Sequence, residues 1–228
     1  RQLPGLGVGI HLTLTQGVPR HSGLRRLVDR RNEFPRSAAK VLLRLATSHR
    51  ARLELELEWD AQIEHALKRG LIPTHLDSHK HLHHFPACQP VVARVAGRLG
   101  IGYVRCAREL RIPDVKLSPG YQQLCRYARR LREALAEEKV KSSDYFFGLA
   151  FTGRMSANIW MKALPAFPEG VGEVMVHPGH PEGLTRDDTR LLEARTVELA
   201  ALQDRSVAYA VQAQQIELIH YGTLAAGR

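Results

Sequence analysis

Residues 72–106 read "IPTHLDSHKHLHHFPACQPVVARVAGRLGIGYVRC". Pro73 biases its predecessor away from helix, and β-favouring residues follow, so "IPTHLDSH" (72–79) reads as a short extended segment. "QPVVARVAGRLG" then carries apolar residues at helical spacing and stops at Gly100, and "GYVRC" (102–106) returns to strand composition. A strand, a helix and a second strand in close succession imply parallel strands joined by a helical crossover.

The same alternation extends to both sides. "VGIHLTL" (8–14) is rich in β-branched residues and reads as a strand containing His11, followed by a long polar loop. Residues 37–68 carry apolar side chains at three- and four-residue steps, predicting one long helix or two that stop at Gly70. Downstream, "YQQLCRYARRLREALAEEKV" predicts a helix, "DYFFGL" (144–149) a strand, and "SANIWMKALPAF" a helix closed by Pro165. "GEVMVHPG" (172–179) is expected to be a buried strand running into a turn. A helix is expected to start at Thr185, and "IELIHYG" (216–222) reads as a last strand. The expected fold is therefore α/β, either an α/β barrel or an open doubly wound sheet, built as a single domain over residues 1–228.

Composition narrows the function classes. A chain of 228 residues with 44% hydrophobic and 6% aromatic content can build one sizeable core. It holds no run of roughly 20 apolar residues and no apolar segment after the basic N-terminus, so neither a membrane span nor a signal peptide is expected, and the protein reads as cytoplasmic. The three cysteines, Cys88, Cys106 and Cys125, are widely spaced without a Cys-x-x-Cys pattern, which supports no disulfide framework and no thiolate zinc site. Lys and Arg exceed Asp and Glu by 33 − 23 = 10. The arginines concentrate in "GLRRLVDRRNEFPRSAAKVLLR" and "YQQLCRYARRLREAL", where the apolar spacing reads as amphipathic helices with solvated basic faces. No nucleic-acid recognition pattern accompanies them, and nucleic acid is not expected as a partner.

Chemistry concentrates between residues 74 and 86, where five histidines and Asp77 occur together. On an extended chain His75, Asp77 and His79 share one face; if a helical turn begins after Ser78, His79 and His83 become neighbours instead. Imidazole with carboxylate suits a divalent metal, with Asp77 either a ligand or a group that orients a ligand histidine. His11 lies in an earlier strand, and His177 follows the apolar run "VMV" at a strand end, a place suited to a ligand or a proton donor. His21, His49 and His65 carry no such context and read as ordinary surface or core residues.

"GVGIHLTLTQG", "PTHLDSHKHLHHFP", the helix "PVVARVAGRLGI", "EVMVHPG" and the later "ARTVELAAL" follow one another in an order that resembles the YdjC-like (ChbG-like) carbohydrate deacetylase family, including its HpnK-type members. The resemblance covers most of the chain, and "HLDSHKHLH" is its most specific part. It implies an incomplete or distorted (β/α) barrel and a divalent ion, Mg²⁺ first with Zn²⁺ or another ion as alternatives. It also implies removal of acetyl groups from N-acetylated amino sugars such as chitooligosaccharides, and a homodimer. Carried over by position, the metal ligands are His11 and His79. The catalytic candidates read from the residues themselves are His177, as proton donor, and Asp77. The family's N-terminal strand with paired aspartates has no counterpart here. A chain without that first strand and helix is expected to bind metal weakly and turn over little. Two other classes stay open on residues alone: a metal-dependent phosphoesterase of another α/β barrel family, and a non-catalytic basic α/β protein.

Overall fold

The computed structural model describes residues 3, 5–112 and 115–225. The chain divides into two compact units, Arg1–Cys106 with Arg126–Ser142 and Ile219–Arg228, and Ala107–Cys125 with Ser143–Leu218.

In the first unit, β1 (Gly9–Leu12) pairs in parallel with β2 (His75–Ser78), setting His11 opposite Asp77. Parallel bridges from Leu76 to Val104 and from Tyr103 to Lys141 continue the pairing. The helices between the strands are α1 (Ala38–Thr47) and α2 (His49–Leu67), two helices where periodicity left one or two open. Ser48 separates them: its backbone is extended, its N–H ends α1 on the Arg44 carbonyl, and its hydroxyl accepts from Ala51 N–H to start α2. A 3-10 turn (His79–His84) follows β2, and α3 (Gln89–Arg98) follows it, with Pro90 in its first turn. Leu12, Leu45, Trp59, Ile63, Leu76 and Val92 are all fully buried in this unit's core.

The loop after β1 is more ordered than its polar composition suggests. Glu54, Glu58 and Gln62 are spaced four apart on α2 and so share one helix face. Glu54 accepts the main-chain N–H groups of Arg26 and Leu27, and Glu58 those of Arg20 and His21. Gln62 both donates to the Thr13 carbonyl and accepts from the Thr13 N–H. Burial works to raise the Glu54 pKa, but the backbone donors outweigh it and the carboxyl is held below its ordinary value. Leu24, Leu27, Val28 and Phe34 anchor the same loop in the core. The first arginine-rich stretch is thus loop up to Ser37 and helix only from Ala38, because its apolar residues are claimed one at a time by the core and its N–H groups by side chains.

A helix α4 (Pro119–Glu137) contributes its residues from Arg126 onward to the first unit. The second unit holds a parallel pair, β3 (Tyr145–Phe147) and β4 (Gly172–Val174), with a parallel bridge from Glu109 to Phe146. The helices α5 (Ala157–Ala163), α6 (Leu192–Gln203) and α7 (Arg205–Ala213) pack around Phe147, Met155, Trp160 and Val207. Two expectations change here. The helix expected from Thr185 begins at Leu192, because the Thr185 N–H and hydroxyl both turn onto the Asp188 carboxylate and Leu191 N–H onto the Thr189 hydroxyl, local bonds that compete with helix. "IELIHYG" forms no strand: Leu218 is exposed, and the segment leads into a short helix, α8 (Tyr221–Ala225), which belongs to the first unit. β-Propensity without a strand edge to pair with does not make a strand.

The architecture is mixed α/β with short, open, parallel sheets. Among the described residues no helix is long and apolar enough to cross a membrane. Cys88 and Cys106 are buried, and burial pushes the Cys88 thiol up to about 12, in keeping with an inert packing role.

Candidate metal and proton-transfer residues

The parallel register places His11 against Asp77, and the chain continues from β2 directly into His79. His11 Nδ1 donates to Asp77 Oδ1 at 2.8 Å, and Arg105 Nη1 donates to Asp77 Oδ2 at 2.5 Å. An ionised carboxylate only accepts, so Nδ1 of His11 carries a proton, and in the neutral ring the lone pair is then on Nε2. Burial would raise the Asp77 pKa, but the His11 hydrogen bond and the Arg105 charge outweigh it and hold the carboxyl well below the usual range. His79 is fixed in the same manner by a different group. Its Nδ1 lies 2.8 Å from the Thr15 hydroxyl and 3.3 Å from the Thr15 carbonyl, which can only accept. Thr15 is itself tied to Thr13, the residue that Gln62 grips from α2.

The His11 and His79 rings lie 5.9 Å apart between centroids, tilted by 53°. Each therefore has its Nδ1 committed to a protein acceptor and its Nε2 left for a ligand, and the His11 side chain is 56% exposed. Neutral imidazoles oriented by an outer carboxylate or carbonyl are the arrangement that divalent ions use. The donor set fits two arms of such a site. Among the described residues no group of three His, Cys, Asp or Glu side chains gathers around one point. Asp77, with both oxygens engaged, stands behind His11.

The remaining histidines of the 75–84 run go elsewhere. His75 stacks on Tyr221 at 3.7 Å and takes a hydrogen bond with Thr74. His83 is fully buried: Nε2 donates to the Arg105 carbonyl at 2.9 Å and Nδ1 accepts from Ser78 Oγ at 2.7 Å, so both nitrogens are spent on the fold. Burial holds its pKa down at about 4. His84 is fully buried with its ring 4.1 Å from that of His83. Lys80 and His81 adopt left-handed backbone conformations, the kink that lets the turn send His79 one way and Leu82, His83 and His84 into the core.

In the second unit, His177 follows β4 after two residues, and its main-chain N–H donates to Glu198 Oε2 at 2.5 Å. Its Nδ1 lies 3.7 Å from the same oxygen. Arg105, Thr15 and Glu198 were not among the residues singled out from sequence. Arg105 and Glu198 sit in segments that read as ordinary strand and helix, and only the alternation of Thr13 and Thr15 around Leu14 hinted at a polar face beside His11.

A sequence profile described as "YdjC-like protein" matches residues 1–213. The chain is 31% identical to a carbohydrate deacetylase of Geobacillus stearothermophilus over 221 residues, covering 96% of this chain and 76% of that protein. It is 29% identical to a chitooligosaccharide deacetylase of Enterobacter sp. (strain 638), covering 92% and 75%. Among solved structures, a protein of Enterococcus faecalis V583 provisionally described as a cellobiose-phosphate cleavage protein superposes with a TM-score of 0.73 at 23% identity, covering 97% of this chain and 79% of that one, a likeness of fold. With its profile matched along nearly its whole length and a relative above 30% identity, this chain belongs to the YdjC-like family.

Proposed function

We propose that the protein is a metal-dependent hydrolase that removes acetyl groups from N-acetylated amino sugars. Two relatives named carbohydrate and chitooligosaccharide deacetylase support the reaction class. The observation that carries the metal part is the pair His11 and His79, 5.9 Å apart with each Nδ1 already tied to the protein. In this proposal those two imidazoles hold the ion. When bound, such an ion supplies Lewis-acid chemistry, polarising a carbonyl oxygen and making water more acidic. Asp77 keeps His11 in the tautomer that offers Nε2, Arg105 keeps Asp77 ionised, and Thr15 does for His79 what Asp77 does for His11. His177 is the proposed donor of the proton that the departing amine requires. An incomplete (β/α) barrel, supported by the uniformly parallel pairings, is the architecture we favour.

Imidazole donors suit zinc- or nickel-like ions better than magnesium, which prefers oxygen. Magnesium, implied by the family resemblance, is therefore the comparison ion. The test is acetate release from diacetylchitobiose by the chain supplied with Mg²⁺ or Zn²⁺, with calorimetric metal titration alongside. The expected result is saturable ion binding that weakens at least about tenfold in His11→Ala and in His79→Ala, with acetate release lost in both. Unchanged metal affinity in the two variants overturns the ligand assignment, and phosphate-ester hydrolysis without acetate release overturns the reaction class.

A further inference from the structure

We infer that Glu198 is the positioning residue for His177, fixing the ring so that Nε2 is the nitrogen offered to the substrate's leaving group; this rests on the assignment of His177 as proton donor. Glu198 is fully buried on α6. Its Oε1 accepts the Met155 N–H at 3.2 Å and its Oε2 accepts the His177 N–H at 2.5 Å. One helical turn earlier the Arg195 carbonyl accepts the Gly179 N–H at 3.3 Å. Pro178 has no N–H, so α6 satisfies both main-chain donors of the turn His177-Pro178-Gly179. The turn is fastened to the helix at each end, and the His177 backbone has no slack.

The ring faces the same carboxylate. His177 Nδ1 is buried and lies 3.7 Å from Oε2 of Glu198, while 29% of the side chain is exposed. The buried carboxylate therefore faces the Nδ1 edge, so in this proposal Nε2 is the nitrogen offered to substrate. A carboxylate there favours Nδ1–H and stabilises the imidazolium, as an orienting acid does behind a general acid–base histidine. In the proposed step the Nε2–H bond breaks as an N–H bond forms on the departing amine, whose nitrogen keeps the C–N electron pair. The imidazole left behind is neutral and retains its Nδ1 proton towards Glu198.

Backbone satisfaction alone would also bury a carboxylate here, so the test needs a readout on the ring. Nitrogen-15 NMR of the full chain, with the His177 signals assigned from His177→Gln, reports the tautomer without substrate. The parent is expected to show Nδ1–H and Glu198→Gln a shift towards Nε2–H. In acetate release, Glu198→Gln is expected to lose about 10- to 100-fold in kcat with KM within about threefold, and Glu198→Asp to recover part of the loss. If Glu198→Gln does not fold, the parent's own tautomer is the readout: Nε2–H in the parent, or an unaltered tautomer in a folded Glu198→Gln, overturns the inference. Should the parent release no acetate, the proposed reaction fails by itself, while the ring spectra still decide whether Glu198 sets the tautomer.

Discussion

His11 and His177 both stand on a buried carboxylate, yet the two carboxylates reach them by different routes. Asp77 arrives by strand register: parallel pairing sets it opposite His11, and Arg105 neutralises its second oxygen. Glu198 arrives from a helix and spends its oxygens on main-chain N–H groups. The first arrangement is a charge relay of guanidinium, carboxylate and imidazole, with Asp77 and Arg105 only 11% and 13% exposed. The second is a clamp on the backbone that also meets a ring. A pairing of charges is vulnerable to loss of one partner, because the other is left buried and uncompensated; a backbone clamp loses hydrogen bonds only.

The largest effect should follow from that difference. Asp77→Ala takes away the carboxylate that Arg105 and His11 both grip, and is expected to destabilise the protein by about 3–5 kcal/mol while weakening metal binding. Glu198→Gln, which keeps volume and strands no cation, is expected to cost about 1–3 kcal/mol. Urea denaturation of the two variants measures both. Equal costs would mean that Arg105 does not depend on Asp77, and the contrast between relay and clamp would collapse.

Much of this was legible in the sequence, and its limits have physical causes. The strands around residues 9–12 and 75–78, the helix after Gln89 and the pairing of His11 with His79 follow from alternation, spacing and family resemblance. The fate of the other histidines does not, because the turn after Ser78 bends through left-handed residues at Lys80 and His81, which no periodicity announces. A run that reads as polar therefore sends His83 and His84 into the core, where the nearby Ser78 hydroxyl and Arg105 carbonyl satisfy His83. Glu54, Glu58 and Glu198 were likewise hidden, since a buried acid on a helix is distinguished from a solvated one only by tertiary donors.

Acid should expose the buried imidazoles. His83 is held at about 4 in the folded protein by burial, against about 6.5 in an unfolded chain. The unfolded state therefore binds the proton first: this contribution to stability is complete above about pH 6.5 and is lost as the pH falls towards 4, by on the order of 3 kcal/mol. The loss belongs to the first unit. Hydrogen exchange, corrected for its intrinsic pH dependence, is expected to show amides of β2 losing protection between pH 7 and 4.5 before those of β3. In His83→Gln the acid-dependent part of the loss should shrink. Simultaneous loss in β2 and β3 with no change in that variant would place the acid sensitivity outside the histidine cluster.

Two glycines give the smallest and cleanest contrast between the regions. Gly9, opposite His75 in the register, leaves no room: a Cβ there would overlap the His75 imidazole, which is sandwiched against Tyr221. Gly9→Ala must push that ring off Tyr221, and overpacking of this kind costs about 1–3 kcal/mol. Gly179, in the turn that α6 holds, is different, because a Cβ there would meet the Arg195 side chain, Nη1 at 3.8 Å and Cδ at 4.0 Å, at ordinary van der Waals distance. Gly179→Ala is therefore expected to stay within about 0.5 kcal/mol of the parent in the same urea titration. A strand pair that carries aromatic side chains across its face needs the glycine for space, whereas a turn fixed by its own N–H donors does not. If Gly179→Ala cost as much as Gly9→Ala, the turn would be packed as tightly as the strands, and α6 would grip it by its side chains as well as by its backbone.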